Sequence, residues 1–250
     1  MITGLPAYVP VVFILTTLLT VGIFAYAIYR SGLRTAAAKL LLAFTLIWLI
    51  IQAILAAGGF FQNFNVLPPR TFAFGPLPFF ILTVAYLAVG RDFLDRVPLT
   101  VLTWIHVIRI PVECVLLWLS QNGLVPVEMT FEGRNLDILS GLSAPVIYFL
   151  AFRNGRVNRP LLIVWNLVAL GLLINVVTIA ILAFPSKFQS IGFDHPNIAV
   201  TYFPYVWLPS VIVPIVFFCH AASLYKLLAS RSARPQAPSS NKQFPRTDVE

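Results

Sequence analysis

Charge is what this chain has least of. Asp, Glu, Lys and Arg make up 10% of its 250 residues, where a soluble domain carries about 25%. Hydrophobic residues reach 59%, and the mean hydropathy is +0.87. Together these values exclude a water-soluble core and point to a polytopic membrane protein. Acidic residues are the scarcer sign, 9 against 17 basic, for a net charge of +8. In a soluble protein that balance would suggest nucleic acid. Here the basic residues sit between apolar runs, the pattern that orients membrane helices, so nucleic acid is not an expected partner and the lipid bilayer is.

Other absences narrow the chemistry. There are only two cysteines, Cys114 and Cys219. Both fall inside apolar runs, where packing is expected rather than a disulfide. No HExxH, GxSxG, Walker A or strand-following GxGxxG occurs, and no CxxCH for haem attachment. The segment MITGLPAYVP has no basic residue ahead of the first apolar run, which is therefore expected to stay as a helix and not to be cleaved. A retinal Schiff base needs a Lys near the middle of the last span. The only Lys there, Lys226, lies about two residues from its end, which rules out a microbial-rhodopsin mechanism.

What the chain does have is length of apolar run. A crossing takes about 20 residues, and seven fit: 8–29, 37–60, 73–90, 98–120, 136–152, 160–184 and 204–228. The expected fold is all-α, a bundle of seven transmembrane helices over residues 1–229, with a disordered cytoplasmic tail at 230–250 rich in Ser, Pro and charge. Lys and Arg set the orientation. Arg30, Arg34, Lys39, Arg91, Arg96, Arg153, Arg156, Arg159 and the tail cations all fall on one side. Only Arg70, Arg134 and Lys187 fall on the other, with Arg109 inside a span. By the positive-inside rule the N-terminus lies outside and the C-terminus inside, in a plasma (inner) membrane. The outer connections, 61–72, 121–135 and 185–203, are longer than the inner ones. They are expected to cap a site that opens outward.

The fourth span carries the most informative residues. His106, Arg109 and Glu113 stand at i, i+3 and i+7, so they share one helical face. Ionisable groups at mid-membrane cost roughly 2.5–3.5 kcal/mol each on insertion scales, so that face is expected to point into the bundle. Arg109 and Glu113 are spaced for an ion pair, or for an anion clamp beside a proton acceptor. At about 1.5 Å rise per residue, His106, Asn166 and His220 fall in an inner layer. Glu113, Asn175, Gln52 and Ser140 fall in an outer one. Pro111 is expected to disturb the fourth span, and Pro204, Pro209 and Pro214 the seventh. His106 and His220, at equal depth, could hold a metal ion or a haem. Asp194 and His195 with Glu132 and Asp137 could build a second polar site in the loops. Asp137 or Asn135 suits the N-cap of the fifth span, and Ser140, Gly141 and Ala144 suit close helix packing.

Two stretches carry a family resemblance: HVIRIPVE at 106–113, and TFEGRNLDILSGL (130–142) together with FDHPNIAVTYFPYVWLP (193–209). They resemble a group of bacterial inner-membrane proteins of about this length, over most of the chain up to residue 228. The resemblance implies a bacterial origin and brings no activity, cofactor or catalytic residue.

The reading that follows is a small-molecule or lipid-like ligand held from the outer side by Arg109, Glu113 and Asn175, with His106, Gln52 and Tyr205 nearby. Aromatic loops around Tyr202, Tyr205 and Trp207 would lie above it. Sensing or transport would use such a site. The alternatives are a membrane enzyme dependent on metal or haem, and an accessory subunit whose polar face packs on a partner in a homo-oligomer or a larger membrane complex.

Overall fold

In a computed structural model of the protein, residues 2, 4–32 and 35–232 are described. Among them every regular element is helical. Six helices are long and apolar enough to cross a membrane: α1 (Tyr8–Ser31), α2 (Ala36–Ala57), α3 (Arg70–Val89), α4 (Leu99–Gln121), α6 (Arg159–Leu182) and α7 (Leu208–Ala229). Between α4 and α6 lies a shorter apolar helix, α5 (Ile138–Ala151). Its 14 residues rise only about 21 Å, short of a hydrocarbon core of about 30 Å. The chain ahead of α5 therefore dips toward the bundle. The tail expectation falls from residue 233 onward outside the described residues. The last helix is described as far as Ser232.

The helices begin and bend where local chemistry directs. Thr35 Oγ1 accepts from Ala38 N–H to cap α2, and Asn158 Oδ1 accepts from Leu161 N–H to cap α6, which has a proline in its first turn. Asp137 stands at the N-cap position of α5, but its side chain makes no capping bond. Its carboxylate is used elsewhere. α4 tightens to a 3-10 turn over Ile105–Ile108, just before Pro111, which has no N–H to give the preceding turn. α7 opens with a π-helical stretch over Leu208–Ile212 that contains Pro209. In α3, Pro78 leaves the Phe74 carbonyl without its helical donor, and Gln52 Nε2 fills that role from α2 at 2.7 Å. The threonine hydroxyls of α1 turn back onto their own helix, Thr16 to Val12, Thr17 to Phe13 and Thr20 to Thr16, at 2.7–2.9 Å. A polar stripe can thus be buried without partners on another helix.

α4 and α7 form the middle of the bundle, with 56% and 61% of their most apolar windows buried against 22% for α2 and α3. α1 packs on α4, and α5 packs on both α4 and α6. α7 lies against α3, α4 and α6. The aromatic core joins α1, α3 and α7 through Phe24, Phe79 and Phe218. At one end, the connections after α4 and α6 are knitted together. Ile198 and Ala199 donate to the Leu124 carbonyl at 3.2 Å, and Asn197 donates to Ala183 at 2.9 Å. The Phe184 ring meets those of Phe64 and Phe72 at 5.7 and 4.9 Å. These segments make a built cap. Cys114 and Cys219 are both free thiols.

Candidate functional site: a buried ionic cluster beside an apolar cavity

His106, Arg109 and Glu113 are 0%, 3% and 1% exposed, so the shared face of α4 does point inward. The Arg109 partner is not Glu113. Its Nη1 donates to Asp137 Oδ1 at 2.8 Å, the ion pair found among the described residues. The same nitrogen reaches the Ala169 carbonyl of α6 at 3.2 Å, and Nη2 meets His220 Nε2 of α7 at 3.3 Å. His220 Nδ1 in turn meets Asn166 Oδ1 at 2.9 Å. Glu113 has a separate partner: Asn135 Nδ2 donates to its two oxygens at 2.8 and 2.7 Å, and to the Met129 carbonyl at 2.9 Å. One guanidinium thus ties together α4, α6, α7 and the segment leading into α5. Such a cluster persists in a low-dielectric interior only when the charges are paired and further hydrogen bonds satisfy them.

Gly141 brings α5 close enough for this. A Cβ there would lie 2.8 Å from Ile110 Cγ1, 3.0 Å from Ile110 N and 3.3 Å from Arg109 Cβ. Ser140, one residue earlier, aims its hydroxyl at Asp137 Oδ1 from 3.5 Å. Glycine here sets how near Asp137 comes to Arg109.

His106 and His220 meet, but face to face. Their ring centroids are 4.0 Å apart with planes 21° from parallel. Imidazole lone pairs lie in the ring plane, so stacked rings direct them away from any common point. In this arrangement the pair does not aim at a shared metal ion or haem iron, the role expected of it from depth alone. Neither ring nitrogen of His106 has a hydrogen-bond partner. Among the described residues no group of three or more His, Cys, Asp and Glu side chains is placed to hold a metal. His195, instead of joining a loop cluster, sits over Gly123, whose added Cβ would be 3.1 Å from its Nδ1.

The other expected site residues lie elsewhere. Gln52 serves the Phe74 carbonyl. Asn175 donates to the Arg134 carbonyl at 2.9 Å and ties α6 to the loop before α5. Tyr205 is buried against Phe13 of α1 at 5.2 Å, and Trp207 Nε1 donates to the Leu49 carbonyl of α2. None of these four lines the cavity that lies beside the cluster. That cavity, of about 200 Å³, is walled by α3, α4, α6 and α7, with Arg109, Glu113 and Asp137 in its lining and otherwise almost wholly apolar side chains.

Residues 67–228 match a family described as a domain of unknown function, DUF8737. The chain belongs to the DUF8737 family. No curated protein and no solved structure matches it. The DUF8737 segment runs from just before α3 into α7, so it contains the whole ionic cluster and every residue of the cavity lining, and leaves α1 and α2 outside.

Asn135 and Asp137 are the partners that sequence reasoning missed. The available signal was the shortness of the fifth apolar run, which places the residues before it at membrane depth. The Asn135 contact is testable. Asn135→Leu should leave a buried carboxylate without its amide, at a cost of about 1.5–3 kcal/mol. The melting temperature in lipid nanodiscs should drop by about 3–12 °C, and Glu113→Leu added to Asn135→Leu should restore most of the loss. An unchanged melting temperature in the single variant would show that the contact contributes nothing.

Proposed function

We propose that this DUF8737 protein binds a small apolar or lipid-like ligand in the cavity between α3, α4, α6 and α7, as a sensor or carrier. On this reading α5 is a seventh, short crossing. The N-terminus lies outside and the C-terminus inside a plasma (inner) membrane. The basic loops beside Arg30, Arg91, Arg96 and Arg153 support that orientation. The observation that carries the ligand reading is the lining itself: a built apolar chamber with three ionisable side chains gathered at one wall. Binding sites are typically concave and mostly apolar, with a few convergent polar groups.

The lining suggests a different ligand set from the one expected from the sequence. Tyr205, Gln52, Asn175 and His106 lie outside the proposed ligand set, and Asp137 joins Arg109 and Glu113 in it.

Ala180 lines the cavity and is half-buried. Ala180→Trp should fill the chamber while leaving the ionic cluster untouched. Lipid mass spectrometry of the purified protein should detect a retained apolar molecule with the wild type and its loss with Ala180→Trp, at equal yield and melting temperature. Identical retained molecules in both proteins would sink the reading.

A further inference from the structure

The cavity is covered by loops at one end and has exposed lining on its side. Toward the loop cap the lining includes the buried Met129 (1% exposed) and Val200 (4%). The packed rings of Phe72 and Phe184 lie at the same end. Exposed lining surface lies on the helix flanks as well as near the loop end, where Phe72, Leu208 and Pro209 are half-buried. Ile181 is 39% exposed, and Phe80, Val177 and Val213 are half-buried. These belong to α3, α6 and α7, on faces that meet hydrocarbon in a spanning bundle. Phe80, Val177 and Val213 thus give the chamber a side that faces away from the outer loops. The outer loops themselves pack inward on Phe184 and Leu124.

Size limits the occupant. An apolar cavity of about 150 Å³ holds one benzene-sized ring, and this one is about 200 Å³. It has room for one chain end or ring, and none for a two-chain phospholipid.

The polar wall limits the head. It holds one cation, Arg109, against two carboxyl groups, Glu113 and Asp137. Both terminal nitrogens of Arg109 are engaged, and both Glu113 oxygens accept from Asn135. Arg109 Nε is buried and without a partner, and Nη2 keeps one N–H beyond its contact with His220. An anionic head would compete with Asp137 for Arg109 and set a second negative group beside it in a poorly screened interior, where like charges repel strongly. A cationic head would compete with Arg109 for Asp137. A neutral oxygen acceptor meets a free donor without either conflict.

Resting on the ligand reading above, we infer that the occupant is a single-chain lipid with an uncharged, hydrogen-bond-accepting oxygen head, taken up sideways from the bilayer between α3 and α6. The test uses the full chain in lipid nanodiscs with diazirine-bearing dodecanol, dodecanoate and dodecylammonium, and peptide mapping of the adducts. Dodecanol should label Phe80, Val177 or Val213 at least about tenfold more than either charged probe, the ratio that corresponds to 1.4 kcal/mol. Arg109→Lys, which keeps a cation for Asp137 and removes the Nε donor, should erase that preference. Equal or stronger labelling by a charged probe overturns the head assignment while leaving cavity binding in place. Adducts confined to residues 122–137 overturn the sideways route. Labelling that is unchanged in Ala180→Trp removes the ligand reading itself.

Discussion

Asp137→Ala should be the most damaging single substitution in the bundle. It leaves the Arg109 guanidinium buried, with its Nη1 reduced to the Ala169 carbonyl. Removing one partner of a buried ion pair costs about 3–5 kcal/mol, because the remaining charge is uncompensated. For a chain of this size each kcal/mol shifts the melting temperature by about 2–4 °C. A loss of roughly 6–20 °C, or failure to purify as a single species, is the expected outcome. The companion variant Arg109→Met with Asp137→Leu should recover much of the stability, since an apolar pair often replaces a buried ion pair at little cost. It should also lose the preference among head groups described above. A mild Asp137→Ala, within about 1 kcal/mol of wild type, would mean that the pair is solvated and carries little.

Gly141→Ala should have the second largest effect, for a purely steric reason. The new methyl would sit 2.8–3.0 Å from Ile110 Cγ1 and the Ile110 backbone nitrogen. Backbone cannot swing aside as the end of a long side chain can, so α5 must move off α4. Overpacking of this kind costs about 1–3 kcal/mol. Because Ser140 and Asp137 travel with α5, Arg109 would lose alignment as well. Gly171→Ala on α6 is the matched control. Nothing lies within 4 Å of its added Cβ, and replacing a mid-helix glycine stabilises by about 0.5–1 kcal/mol. Thermal melting of the two variants should therefore move in opposite directions. Parallel shifts would show that α5 and α4 are not held in this close contact.

The membrane character, the helical fold and the inward face of α4 were all legible in the sequence. Long apolar runs have one folded solution in lipid, and ionisable residues at i, i+3 and i+7 must share a side. What the sequence concealed is azimuth. Rise per residue gives a height for Gln52, Asn175 and Tyr205 but not the direction each faces. A layer at fixed depth is a ring around the bundle, and only the order of helices says which parts of the ring meet. Gln52 has a local task legible after the fact, because Pro78 frees the carbonyl it serves. The Arg109–Glu113 pairing looked natural from spacing alone. It lost to partners 28 and 22 residues further along the chain, which no periodicity within α4 could reveal. The histidines show the same limit: depth put them level, and only the ring planes decided that they stack.

The short reach of α5 also bears on how the protein is made. When α4 leaves the ribosome, Arg109 and Glu113 have none of their eventual partners. Asp137, Asn135, Ala169 and His220 are all still to come. Two bare ionisable groups at about 2.5–3.5 kcal/mol each make α4 a poor substrate for partitioning into lipid alone. Its integration is therefore tied to synthesis of residues 135–137 and then of α6 and α7, so the second half of the chain is inserted as a cooperative unit. Biogenesis intermediates truncated before residue 135 should linger at the translocation machinery, and those that include α7 should leave it.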